Sequence, residues 1–227
     1  QPTLFGGGPV GGVIRYFTRD PDLAGSEPAG EASATVESMT EGGLAYAADG
    51  AVSLVLAPDR AGLRVSGYYR KDEGFIDNRL SGEEDANDFE SFGGRVVLLL
   101  QPNDRLSARL SVLAARDEHG SDASIEPGTD PEDFVFGIPG LPDGAFPSFV
   151  ATGSDDFDLF SGRVSYDFGS LEITSITGFY ERDRRIETLD IGTSVGLTPF
   201  FPTINTASFG SNTFAEDMFS EELRIVS

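Results

Sequence analysis

"LSARLSVLAA", from Leu106 to Ala115, decides the fold. Leu106, Ala108, Leu110, Val112 and Ala114 are apolar, and Ser107, Arg109 and Ser111 alternate with them. A period of two places one set on each face of an extended strand. The pattern recurs along the chain. In "LRVSGYYR", Leu63, Val65 and Tyr69 oppose Arg64, Ser66 and Arg70. In "FSGRVSYDF", Phe160, Val164, Tyr166 and Phe168 oppose Ser161, Arg163, Ser165 and Asp167. "LEITSITGFY" sets Leu171, Ile173 and Phe179 against Glu172 and Thr174, and "EASATVES" sets Ala32, Ala34 and Val36 against Ser33, Thr35 and Glu37.

These patterns predict an all-β chain of eight strands, at 31–40, 44–56, 62–72, 90–101, 105–117, 157–168, 171–183 and 214–227. Most exceed the usual strand of about 5–6 residues and reach the roughly 9–11 that cross a bilayer. Length therefore favours an antiparallel transmembrane β-barrel over a soluble β-sandwich.

The connections point the same way. "APDR" (57–60), "QPNDR" (101–105) and "DFGS" (167–170) are short, whereas 73–89, 118–156 and 184–213 are long. Outer-membrane barrels alternate short periplasmic turns with long extracellular loops. Pro58, Pro102 and Gly169 would then lie at the periplasmic end. Long loops usually carry function, here ligand contact or gating.

Composition removes several classes. The 227 residues hold 38 acids and 16 Lys or Arg, a formal net charge of −22. Phosphate contacts need a basic surface, so no nucleic-acid partner is expected. The acids bunch in segments while apolar residues recur in order, which argues against wholesale disorder. Cys is absent, so there is no disulfide, thiolate metal site or Cys nucleophile. The single histidine, His119, reads as a solvated loop residue in "RDEHGSD". The longest apolar run is "VVLLL", Val96 to Leu100. It is far short of the roughly 20 residues of a membrane helix, which a barrel does not need.

Chemical motifs are weak. Gly6, Gly8 and Gly11 form G-x-G-x-x-G, but a strand rather than a helix follows, so a tight packed turn explains them better than a dinucleotide site. "DANDFE" (85–90) and "GTDPEDF" (128–134) offer oxygen ligands without EF-hand spacing; solvated loops are the preferred reading, with divalent ions bridging to lipopolysaccharide the other. The pairs Asp155–Asp156 and Glu83–Glu84 lack a pocket to separate their acidities. No catalytic residue, resident metal or cofactor is expected, and the chain does not read as an enzyme.

The opening stretch, "QPTLFGGGPVGGVIRYFTRDPDL" (Gln1 to Leu23), resembles the end of the plug domain of TonB-dependent outer-membrane receptors. Gln1, Thr3, Leu4, Phe5 and Gly6 match the family's first turn; Gly11, Gly12, Val13, Ile14 and Arg15 match its glycine pair and short apolar strand. Thr18, Arg19, Asp20 and Pro21 match the exit. Pro2 departs from the usual Gly, and Phe5 replaces a common Tyr. "FSEELRIVS" (Phe219 to Ser227) resembles a barrel strand of the same family, with Glu221 in the place of a Gln. "GYYRKDEGFIDN" (Gly67 to Asn78) resembles its first long loop.

The resemblance implies residues 1–23 as the end of a plug, 24–30 as a linker and 31–227 as the truncated N-terminal part of a barrel. The family's barrel has about 22 strands around a plug. It implies location in the outer membrane of a Gram-negative bacterium, among its lipid and lipopolysaccharide. It also implies uptake of a scarce nutrient — a ferric siderophore or similar chelate, cobalamin, haem or a glycan — with energy from TonB, through a segment upstream of Gln1. A small eight-stranded barrel of structural or adhesin type and a soluble acidic β-sandwich binding module are the alternatives.

Within that frame Arg64, Arg109, Arg163, Glu222 and Arg224, on the polar face of their strands, are candidates to contact the plug, with Arg15 as a candidate on the plug itself. A hydrated wall is the plainer role for each. Phe75, Phe134, Phe136, Phe200 and Phe201, with Phe146 and Phe149, are loop aromatics. They suit stacking on a ligand, packing the loops together or an interfacial girdle, and sequence does not separate the three.

Overall fold

A computed structural model of the chain describes residues 18–24, 27–39, 42–75, 84–120, 150–193 and 205–227. They form one antiparallel sheet of eight strands in sequence order. The strands are β1 (Ala29–Ser38), β2 (Leu44–Ala57), β3 (Ala61–Asp72), β4 (Phe89–Asn103), β5 (Leu106–His119), β6 (Val150–Asp167), β7 (Glu172–Thr193) and β8 (Asn205–Val226). Among the described residues the sheet is not closed: β1 pairs only with β2, and β8 only with β7. No helix occurs among the described residues.

Directly paired residues point to the same side of a sheet, so the register sorts the alternating patterns into two faces. Val52, Val65, Val96, Val112, Phe160, Phe179 and Phe219 are paired in succession from β2 to β8. They make an unbroken apolar row, and all seven are exposed. The adjacent row on the other face is Ser53, Arg64, Val97, Ser111, Ser161, Gly178 and Ser220. One face is thus apolar and the other polar.

Among the described residues the sheet is not wrapped around a core of its own. The buried apolar side chains among them are Pro21, Ala86 and Val97, and Val97 lies on the polar face. No second layer covers the apolar face among the described residues. Towards the long connections that face becomes charged: Lys71 meets Glu90 at 3.3 Å and Arg116 meets Asp158 at 2.7 Å. Within the apolar band Glu221 is an interruption. Its carboxylate accepts hydrogen bonds from the Ser175 hydroxyl, at 2.7 Å, and from that of Thr177.

The expected eight strands and their order are present, but three boundaries differ by more than two residues. β6 begins at Val150 instead of 157, β7 runs to Thr193 instead of 183, and β8 starts at Asn205 instead of 214. These extensions lack apolar alternation: those of β6 and β7 carry charges, and that of β8, NTASFGSNT, is polar and small. The backbone ladder needs no such alternation, and cross-strand ion pairs such as Arg182–Asp155 line it. His119 is accordingly the last residue of β5, half-buried, and not a loop residue.

The short turns use local chemistry. Asn103 Oδ1 accepts from the backbone N–H groups of Arg105 and Leu106, both at 2.9 Å, and so fixes the turn after β4. Pro102 sits inside β4 where the pairing slips, between Leu100 and Asn103, and there its missing N–H costs no ladder bond. Gly169 turns the chain between β6 and β7 at a φ of 94°, a conformation that glycine adopts freely. Arg60 and Asp104 tie two neighbouring turns at 3.2 Å.

Candidate functional site on the polar face

The segment Thr18–Ala24 lies as a strap across the polar face, at the end of the sheet nearer the short turns. Two features of sequence seat it. Gly62, on β3, leaves room: a Cβ there would stand 2.8 Å from Leu23 Cδ2 and 3.0 Å from Pro21 Cβ. Pro21 is buried against this spot. The Asp59 N–H then donates to the Leu23 carbonyl at 2.9 Å, joining strap and turn through the backbone.

Charge fixes the rest of the strap. Arg109 Nε donates to Asp20 Oδ1 at 2.7 Å, and its Nη2 reaches Thr18 Oγ1 at 3.4 Å. Glu31, on β1, bridges two arginines: Arg64 Nη2 at 2.8 Å and Arg19 Nη1 at 3.1 Å. Arg64 Nη1 also donates to Ser53 Oγ at 2.9 Å. Its side chain is only 16% exposed, so these bonds form in a partly desolvated setting where charge-assisted contacts gain strength. Beside the strap a cavity of about 420 Å³ is lined by Thr18, Arg19, Glu31, Arg64, Tyr68 and Arg95 among others. Arg95 Nε donates to Ser111 Oγ at 3.1 Å.

Higher on the same face the Ser91 hydroxyl donates to Asp117 at 2.5 Å, and Tyr68 Oη stands 3.3 Å from it. Beyond the apolar band, Arg182 grips Asp155 with both Nε, at 2.8 Å, and Nη2. That hydrogen bonding holds the Asp155 carboxyl below the usual carboxylate range, against the opposing effect of burial. Asp156, next in sequence, points to the other face and meets Arg116 at 3.7 Å. The two carboxylates are thereby separated, as alternation along a strand requires. The His119 ring packs on Gly153, where a Cβ would lie 2.6 Å from Nε2.

Of the residues singled out in the sequence, Arg64 and Arg109 lie where the strap crosses the sheet. Arg109 touches the strap directly, and Arg64 reaches it through Glu31. Arg163 stands directly opposite Arg109 on β6. Glu222 and Arg224 pair with each other on β8. Phe75 is exposed, its N–H donating to Asn87 Oδ1 at 2.8 Å. Arg15 and the aromatics Phe134, Phe136, Phe146, Phe149, Phe200 and Phe201 lie outside the described residues, as do Gly6, Gly8 and Gly11. Among the described residues no three His, Asp or Glu side chains converge on a point that suits a metal ion.

Sequence reasoning missed Glu31 and Arg95. Arg95 shares the parity of the polar face, but "RVVLLL" is apolar at both parities and hides the alternation. Glu31 showed no sign of its role, since its two arginines come from 12 and 33 residues away. Comparison with family models, curated proteins and solved structures gives no match.

Proposed function

We propose that this chain is part of an outer-membrane receptor of the TonB-dependent type, with the sheet as an arc of the barrel wall and the strap as the exit of the plug. Its work is uptake of a scarce nutrient with energy supplied through TonB. The observation that carries this reading is the exposed apolar row from Val52 to Phe219, over which no layer lies among the described residues. A soluble antiparallel sheet covers such a face with a second sheet or helices. A bilayer solvates it as it is, while the ladder satisfies the backbone polar groups.

Three further features agree. The alternation of β5, from Leu106 to Val112, lies within a strand of 14 residues, long enough to cross a bilayer. The apolar band gives way to ion pairs on the side of the long connections. The unpaired outer edges of β1 and β8 suit an arc that continues into further strands better than a closed eight-stranded barrel.

The test is expression of the complete reading frame that contains this chain, followed by membrane fractionation and nutrient-uptake assays with and without TonB. Recovery in the outer membrane with TonB-dependent uptake is the expected result. A water-soluble monomer that unfolds cooperatively without detergent would overturn it.

A further inference from the structure

We propose that the polar face binds an anion bearing carboxylate or phosphate oxygens, at a basic cluster that Asp20 of the strap partly occupies in this structure. The chain carries a formal charge of −22, yet Arg64, Arg95, Arg109 and Arg163 gather on one face of the consecutive strands β3 to β6. Their register keeps them close. Arg109 faces Arg163 directly, and Leu99 opposite Arg109 lies four residues from Arg95 on the same face. Arg64 faces Val97, midway between those two positions.

Like charges directly opposite each other on paired strands are destabilising. The Arg109–Arg163 pair therefore costs stability unless an anion sits near both. Asp20 supplies one carboxylate, to Arg109, and Glu31 supplies one to Arg64. Among the described residues neither Arg95 nor Arg163 has a carboxylate partner. Arg95 is held only by the neutral Ser111 hydroxyl.

Guanidinium groups present planar forks that match carboxylate and phosphate oxygens, often two bonds at a time. Charges of one sign gathered on one face raise the local concentration of counter-ions before it. Asp20 then acts as a built-in competitor. An incoming anion with several oxygens takes Arg109 from Asp20, gains Arg95 and Arg163, and loosens the strap. Calling that anion the cargo rests on the receptor reading above; the binding itself does not.

The experiment is calorimetric titration of the protein from the complete reading frame, purified in detergent, with inorganic phosphate and with citrate; sucrose is the neutral control. Both anions are expected to bind and sucrose is not, and the tighter of the two assigns phosphoryl or polycarboxylate chemistry. Arg163→Gln should weaken binding about tenfold, through loss of a charge-assisted partner, while Arg163→Lys retains more of it. Asp20→Asn should tighten binding about fivefold, because the competing carboxylate is gone. A purely structural Asp20 would lower the thermal midpoint without raising affinity. Absence of binding to both wild-type and Asp20→Asn protein would overturn the proposal, as would binding indifferent to Arg95→Gln and Arg163→Gln. A protein that resides in the outer membrane and imports a neutral nutrient, with neither anion bound, defeats this inference and leaves the receptor reading intact. A soluble anion binder does the reverse.

Discussion

Asp20 and Arg109 are 89 positions apart in sequence and 2.7 Å apart in the fold. Their contact ties the strap to the middle of the sheet, three strands beyond the β2–β3 turn that holds Leu23. It joins a local segment to a wall that only long-range pairing assembles.

A double-mutant cycle of Asp20→Ala and Arg109→Ala tests this tie. Both side chains are partly exposed, so a coupling of about 0.5–1 kcal/mol is expected. Chemical denaturation of the four proteins measures it. Zero coupling would make the contact incidental.

Gly62→Val should release the strap. The new side chain would enter space held by Leu23 and Pro21. Overpacking of this kind costs about 1–3 kcal/mol. Limited proteolysis should cut near Asp22 in the variant and spare the wild type. Equal protection would show that the strap seats elsewhere.

The two faces should respond oppositely to charge. In the receptor reading, Leu110→Arg places a cation in the apolar band and costs about 2–4 kcal/mol of bilayer stability. Ser107→Arg, on the polar face of the same strand, should cost much less. Folding titrations into lipid vesicles compare them, and equal costs would remove the bilayer from the argument.

Glu221 lies in the apolar band between Phe219 and Leu223, with Ser175 and Thr177 as its donors. Glu221→Gln keeps an acceptor for a hydroxyl and removes the charge. The denaturant midpoint in vesicles should rise. A fall would mean that the ionised carboxylate itself is needed there.

Asp155 gives a pH signature beyond the apolar band. Arg182 holds its carboxyl below the usual range in the folded state. Its contribution to stability is therefore complete above the unfolded value of about 3.9 and disappears as pH falls through the lower folded value. Asp155→Asn should flatten the thermal midpoint in that acid window and leave its slope near neutrality unchanged. A wild-type slope in the variant would assign the effect to other carboxylates.

The legible part of the fold was the part written in alternation. Leu106 to Ala114, and Phe160 to Phe168, gave strand, face and the sidedness of Arg109 and Arg163, because solvent contrast imposes a period of two. The extensions of β6, β7 and β8 were not legible, because charges such as Asp155 and Arg184, and the small polar run of 205–213, occupy them without that contrast. His119 fell to the same ambiguity. Half of the candidate site was visible, as Arg64 and Arg109 on the polar face.

The sequence by itself determined an all-β chain, its eight strands in order and which side chains share a face. Those are local properties of backbone and solvent. Only the tertiary structure decided that Asp20 meets Arg109, that Glu31 joins Arg19 to Arg64, and that Gly62 receives Pro21 and Leu23. Such contacts depend on register accumulated over several strands, and a shift of one residue would turn every one of these groups to the opposite face.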